Sequence, residues 1–334
     1  MTVSVIDDVF NHTLSAYAIS TAWETGLLDR LDGSEAPVDL RDFAREQDLD
    51  APSVEAVARG LALAGIVALD PEHRFAEPGP QFAETMAKKG FFYWLTRGCG
   101  ELFTTMPELI RTANRPDGFT VRRDYKAIGL GARDAGFSYV DPAFYRIVAE
   151  RNLRCGADLG CGSGERLIKL AGQDPEFRGI GVDFAAGAVA LATESVARAG
   201  LADRISVVHG DATAMEHRPE FDQVDFVCTF MMGHDLWPRE ECLTSLKLIG
   251  EAFPAATDLI ICDTYRSDLP STDRHPVFTL GFETAHAVMG QMIPSLAEWK
   301  DVLAEAGWNL ADVVDFDLPP YTALMHLTRE RTHG

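Results

Sequence analysis

The chain has 334 residues, 46% of them hydrophobic and 24% charged, and carries a formal net charge of −21. That length buries a sizeable core and divides into two domains, since single cores stop growing at roughly 250–300 residues. The charge argues against nucleic acid or an anionic membrane surface as a partner, because both repel an acidic protein at long range. Apolar runs such as "LALAGIVAL" at 61–69 fall far short of the roughly 20 residues a membrane span needs. The opening "MTVSVIDDVFNH" is acidic and has no basic start, and the cysteines (Cys99, Cys155, Cys161, Cys228, Cys242 and Cys262) fall at no zinc-like spacing. A reduced, cytoplasmic protein is expected.

In chain order, residues 4–80 read as short helices: "IDDVFNHTLSAYAISTAWETGLLDRL", "VDLRDFAREQ" and "APSVEAVARGLALAGI", the last with Val54, Val57, Leu61 and Ala64 on one face. "IVALDPEHRFAEP" reads as a small hairpin, so that residues 1–85 form a winged-helix-like unit. Such units often grip DNA, but residues 34–80 hold four Lys or Arg against ten Asp or Glu, the wrong sign for phosphates. Dimerisation is the better expectation. Residues 86–150 form a helical, aromatic linker with "FFYWLTRGCGELF" and the charged turn "RRDYKA". From 151 to 334 strands alternate with helices, which predicts an α/β domain with a mostly parallel sheet. Its strands are "GADLG", "GIGVDF", "ISVVHGD", "VDFVCTFMM", "LIICDTY" and a closing pair, "ADVVDFDL" and "YTALMHLT".

"ADLGCGSGERLIKLA" leaves a strand, passes Gly160, Gly162 and Gly164, and enters a helix whose N-terminus favours negative charge. Asp183 ends the next strand, where an acidic side chain accepts ribose hydroxyls. Asp158 lies within the first strand, and Asp211 closes the third. A nicotinamide enzyme shares the glycine turn and the ribose carboxylate. "DLGCGSG" with the later "GDA" instead resembles the class I S-adenosylmethionine (SAM) methyltransferases, a Rossmann-like fold. By that resemblance Asp158, Gly160, Gly162, Gly164, Asp183, Asp211, Ala212 and Phe230 bind SAM, with Asp183 on the ribose and Asp211 and Ala212 around the adenine.

"FMMGHDLWPRE" at 230–240 follows the fourth strand, and the carboxyl ends of strands are where such sheets bind ligands. With the N-terminal half included, the chain resembles the dimeric small-molecule O-methyltransferases, whose histidine in an "HDW" segment deprotonates a hydroxyl. Here Leu236 is inserted. After the fifth strand, "PVFTLGFETAH" sets Phe282, His286 and Met289 on one helical face. A core histidine in an apolar stripe is the ordinary reading, but two histidines brought to one mouth also suit a metal. These two motifs and "GSGERLI" resemble the metal-dependent 2-oxo acid C-methyltransferases of the phenylpyruvate C3-methyltransferase type, which supply β-methylated amino acids to nonribosomal peptides. "FYWL", "GELF", "MPEL" and "DPAF" extend the likeness along nearly the whole chain.

The resemblance implies non-haem iron held by His234 and His286, although two imidazoles would equally accept zinc, cobalt or nickel. Asp235 is expected to orient a metal-bound water or accept the β proton, with helix capping as its plainer role. Arg123, or its neighbour Arg122, suits the substrate carboxylate, and a surface salt bridge suits either equally well. Trp94, Cys99, Met231, Met232 and Met289 are expected to line an apolar pocket, or to be plain core. The expectation is therefore a homodimeric C-methyltransferase of a 2-oxo acid. Its competitors are a phenolic O-methyltransferase with His234 as general base, and a SAM-sensing or DNA-binding regulator, which the acidic first domain disfavours.

Overall fold

The computed structural model describes residues 4–115, 123–270 and 275–330. Two compact units divide the chain, 1–135 and 136–334. The first unit thus runs well past residue 85, and the division falls inside the stretch read as a linker.

In the first unit, α1 (Val5–Glu24) starts at Ser4, whose hydroxyl accepts the Asp7 N–H in a capping box. It is followed by α2 (Leu27–Asp32), β1 (Val38–Asp39), α3 (Leu40–Glu46), α4 (Ala51–Leu63), β2 (Val67–Leu69) and β3 (Phe75–Pro78). The strands form a small antiparallel sheet in the order β1-β3-β2. On α4 the buried positions are Val54, Ala58 and Leu61. The inward stripe is rotated from the expected one, and Val57 and Ala64 lie half-buried at its edge. Helix α5 (Phe82–Tyr93) runs into a π-helical turn, Trp94–Gly98, then α6 (Gly100–Thr104) and α7 (Met106–Leu109). The first part of α8 (Tyr125–Tyr139) crosses α5 where Gly90 meets Gly131. A Cβ on either glycine would stand 2.6 Å from the other's carbonyl oxygen, so only glycine permits this approach.

The second unit opens with α9 (Asp141–Glu150) and continues with β4 (Cys155–Leu159), α10 (Glu165–Gln173), β5 (Arg178–Asp183), α11 (Ala186–Arg198) and β6 (Ile205–His209). Then come β7 (Phe226–Phe230), α12 (Arg239–Ala252), β8 (Asp258–Thr264), α13 (Thr279–Met289), α14 (Leu296–Glu305), β9 (Asn309–Phe316) and β10 (Thr322–Thr328). All seven expected strands are present. They form one sheet, β6-β5-β4-β7-β8-β10-β9, parallel except that β10 runs antiparallel between β8 and β9. Side chains alternate across it: Leu259 and Ile261 pack on the face shared with α12 and α14, while Ile260 and Cys262 pack on the face shared with α9 and α10. A sheet covered on both faces explains the unbroken apolar runs of β7 and β8. Strand order reverses between β4 and β7, which opens a crevice beyond their carboxyl ends. Among the described residues no helix is long and apolar enough to cross a membrane.

Candidate active site

One side of the crevice is the turn after β4. Gly160, Gly162 and Gly164 have φ of 73°, 55° and 72°, a region L side chains rarely adopt. Their surroundings differ. A Cβ on Gly160 would meet Met232, one on Gly164 would meet Ala192 of α11, and one on Gly162 would meet nothing within 4 Å. Gly164 therefore serves helix packing, and Gly162 is where a ligand gains close access to backbone. Asp183, at the end of β5, shapes this turn: one carboxylate oxygen accepts the Gly162 N–H (3.0 Å) and the other the Ala185 N–H (2.9 Å). Its remaining lone pairs are available to hydroxyls.

Asp158 is buried within β4. Burial pushes its pKa up to about 6 against the pull of Arg166. One oxygen takes a long contact from the Cys228 thiol (3.7 Å), and Oδ2 has no partner, an orphaned acceptor suited to a cationic donor. Arg166 bonds Asp141 (3.2 Å) and lies 3.5 Å over the ring of Phe230, which also packs edge-on against Phe144. Asp211 accepts from the Thr213 N–H and hydroxyl, capping the short turn Ala212–Ala214. Phe184, next to Asp183, is 71% exposed, a large aromatic left in the open.

The other side of the crevice comes from β7, β8 and α13. Met231 leaves β7 with φ 54°, a strained value for a side-chain-bearing residue, and a short 3-10 turn Gly233–Leu236 follows. His234 in that turn is buried. Its partner is Asp263, the penultimate residue of the apolar strand β8. Asp263 Oδ2 accepts the His234 backbone N–H (2.5 Å), and Oδ1 accepts from His234 Nδ1 and from the Thr264 N–H (both 2.8 Å). A carboxylate only accepts, so His234 Nδ1 carries a proton that it donates to Asp263. Gly233 makes room for this: a Cβ there would stand 2.9 Å from Asp263 Oδ2.

His286 on α13 is also buried, and its Nδ1 donates to the Phe282 carbonyl (2.7 Å). The His234 and His286 rings lie 4.7 Å apart and nearly perpendicular at 87°, with Phe282 edge-on to His234. Phe278, at the start of α13, has φ 78°, so a second strained residue flanks this site. Asp235, the sequence neighbour of His234, is half-exposed and bonds Gln291, with its Oδ1 3.9 Å from His234 Nε2.

The family described as a methyltransferase domain matches residues 157–250. The methyltransferase ungE' of Aspergillus campestris is 39% identical over 312 residues, covering 90% of each chain. The chain belongs to the SAM-dependent methyltransferases. Within them this methyltransferase is of class I and of the O-methyltransferase-like type. The indolepyruvate C-methyltransferase of Streptomyces griseus is 32% identical over 175 residues, 52% of each chain. The solved structure of the mitomycin 7-O-methyltransferase MmcR covers 97% of both chains with a TM-score of 0.69 at 18% identity, which shows the α/β Rossmann-like fold with an N-terminal helical domain.

Asp158, Gly160, Gly162, Asp183, Phe230, Met232, His234, Asp235, His286 and Met289 all lie in the second unit. Trp94, Cys99 and Arg123 belong to the first. Trp94 opens the π-helical turn, a feature that recurs at functional sites. Cys99 follows it with no exposed surface, and burial pushes its thiol up to about 12. Arg123 lies 5.3 Å from the Tyr125 ring, and its buried Nε has no hydrogen-bond partner. Arg122 lies outside the described residues.

Sequence reasoning missed Asp263 and Gln291. A carboxylate ending an otherwise apolar strand was the available signal for the first, and Gln291 had none. As for a metal, the donor chemistry fits a borderline divalent ion, because two imidazoles lie side by side, each held in orientation by an oxygen at Nδ1. Among the described residues no group of three or more His, Cys, Asp or Glu is placed to hold an ion, so the protein would supply two donors and leave positions for a chelating ligand.

Proposed function

We propose that this methyltransferase transfers the methyl group of SAM to the β-carbon of a 2-oxo acid with an apolar side chain, of the phenylpyruvate or 4-methyl-2-oxovalerate kind. His234 and His286 would hold a divalent metal ion, non-haem iron in the first instance, and the product would feed β-methyl amino acids into a peptide natural product. One observation carries the reading: the second imidazole. A general base needs one histidine, yet the His286 ring centre stands 4.7 Å from that of His234, with its Nδ1 held independently by the Phe282 carbonyl. The likeness to an indolepyruvate C-methyltransferase supports it, since indolepyruvate is itself a 2-oxo acid.

A metal held by that pair would supply Lewis acidity that lowers the pKa of the keto acid's β C–H. Asp263 holds His234 in register, and Asp235 accepts the β proton. The β-carbon, left with the electron pair, attacks the sulfonium methyl in line. A C–C bond forms as the S–CH3 bond breaks, and S-adenosylhomocysteine leaves. Arg123 pairs with the substrate carboxylate. On the donor side Asp158 faces the cationic methionine end, Asp183 takes the ribose hydroxyls, and Asp211, Ala212 and the exposed Phe184 frame the adenine. The assembly in this proposal is a homodimer built on the first unit.

Elemental analysis of protein purified without an affinity tag tests the reading. We expect near-stoichiometric transition metal, lost in both His234→Ala and His286→Ala together with methylation of phenylpyruvate. The His234–Asp263 bond favours a second reading, an O-methyltransferase using His234 as general base. Metal-free protein that methylates a phenol, and keeps doing so as His286→Ala, would establish that one instead.

A further inference from the structure

Helix α13 and the turn Gly233–Leu236 approach each other at two places. One is the pair of imidazoles. At the other, Gln291 Nε2 donates to Asp235 Oδ1 at 2.6 Å. Gly290 ends α13 in the left-handed conformation (φ 79°), and the Gln291 N–H donates back to the His286 carbonyl at 2.9 Å. The Gln291 carboxamide is therefore anchored to the turn of helix that carries His286, while its partner Asp235 adjoins His234.

We propose that Gln291 is a positioning residue, a brace that sets the separation of the His234 and His286 rings and holds the Asp235 carboxylate beside His234 Nε2. A second observation points the same way. Gln291 Oε1 is buried and has no hydrogen-bond partner, a costly arrangement for an amide beside a half-exposed carboxylate. Swinging into water would satisfy both ends of the amide. The side chain instead stays where only its N–H end is used, as a brace must. Glutamate at this position sets one carboxylate against another, and asparagine is a methylene short.

The inference rests on the reading of the two imidazoles as the acceptor end. Its test uses Co(II) as the probe, with affinity measured by chelator competition, alongside methyl transfer from labelled SAM to phenylpyruvate. Gln291→Glu and Asp235→Asn are each expected to weaken Co(II) binding about tenfold. The double variant restores the bond with donor and acceptor exchanged and regains most of that affinity, which a general loss of folding does not do. Gln291→Ala lowers kcat about tenfold, leaves SAM affinity unchanged, and adds nothing to the loss of Co(II) affinity in an Asp235→Ala background. Additive losses, or wild-type affinity and kcat in Gln291→Ala, overturn the brace. Wild-type protein that binds no Co(II) overturns the metal reading instead, and kcat on a phenol then decides the brace, which wild-type kcat in Gln291→Ala overturns.

Discussion

At His234 a single carboxylate does three things: it orients the ring, holds the backbone of the turn, and is itself held by Thr264. Asparagine is the sharpest test of Asp263, because whichever way its amide turns, the NH2 end must face an N–H donor. Asp263→Asn is expected to lower kcat about 10- to 100-fold, with SAM affinity by calorimetry unchanged. Equal loss in kcat and in SAM binding would mean that the residue only maintains the fold. His234 and His286 were legible because each sits in a motif of unusual composition. The partner of His234 was not. Asp235 is adjacent in sequence, but the 3-10 turn sends successive side chains in different directions, and the bonding carboxylate comes from a strand 29 residues away. Pairings between elements are set by sheet order, which spacing along one chain does not encode.

Among the elements, β8 carries chemistry at one end and an anchor at the other. Asp258 at its start is wholly buried and bonds His326 of β10 (2.7 Å), Arg151 beyond α9 (2.9 Å) and Thr257 (2.7 Å). Burial alone would raise its pKa, yet these bonds together outweigh that and hold it at about 2. A folded pKa below the unfolded value of about 3.9 contributes stability above pH ~4 that is lost as pH falls toward 2, on the order of 2 kcal/mol. Asp258→Asn should therefore be clearly less stable than wild type in urea at pH 7, with the gap narrowing at pH 3; a constant gap would contradict the assignment. The strands themselves were legible in sequence because apolar runs bounded by Gly and Asp are sheet-like at any position. The π-helical turn at Trp94–Gly98 was not, since one extra residue in a helix leaves the apolar pattern nearly intact.

For the whole molecule, α1 shows what its unit lacks. Val5, Ile6, Val9, Phe10 and Leu14 are each more than half exposed on this helix, although a solvated helix face is normally polar. If a second copy covers that stripe, Val9→Asp with Phe10→Glu yields a monomer by light scattering at micromolar concentration, while a wild-type mass equal to one chain would refute the dimer. The division of labour within the sheet has a different consequence. In the proposed reading the methyl-donor residues lie between Asp158 and Ala212, apart from Phe230, and the acceptor residues of the second unit lie between Phe230 and Gln291. The two sets join through the parallel ladder of β4 and β7, which is main chain to main chain and indifferent to side-chain identity. A genetic crossover in the loops between β6 and β7 would hand a descendant a new acceptor half with an inherited donor half already in working order. Descent by exchange of halves, as well as by point substitution, is open to this architecture.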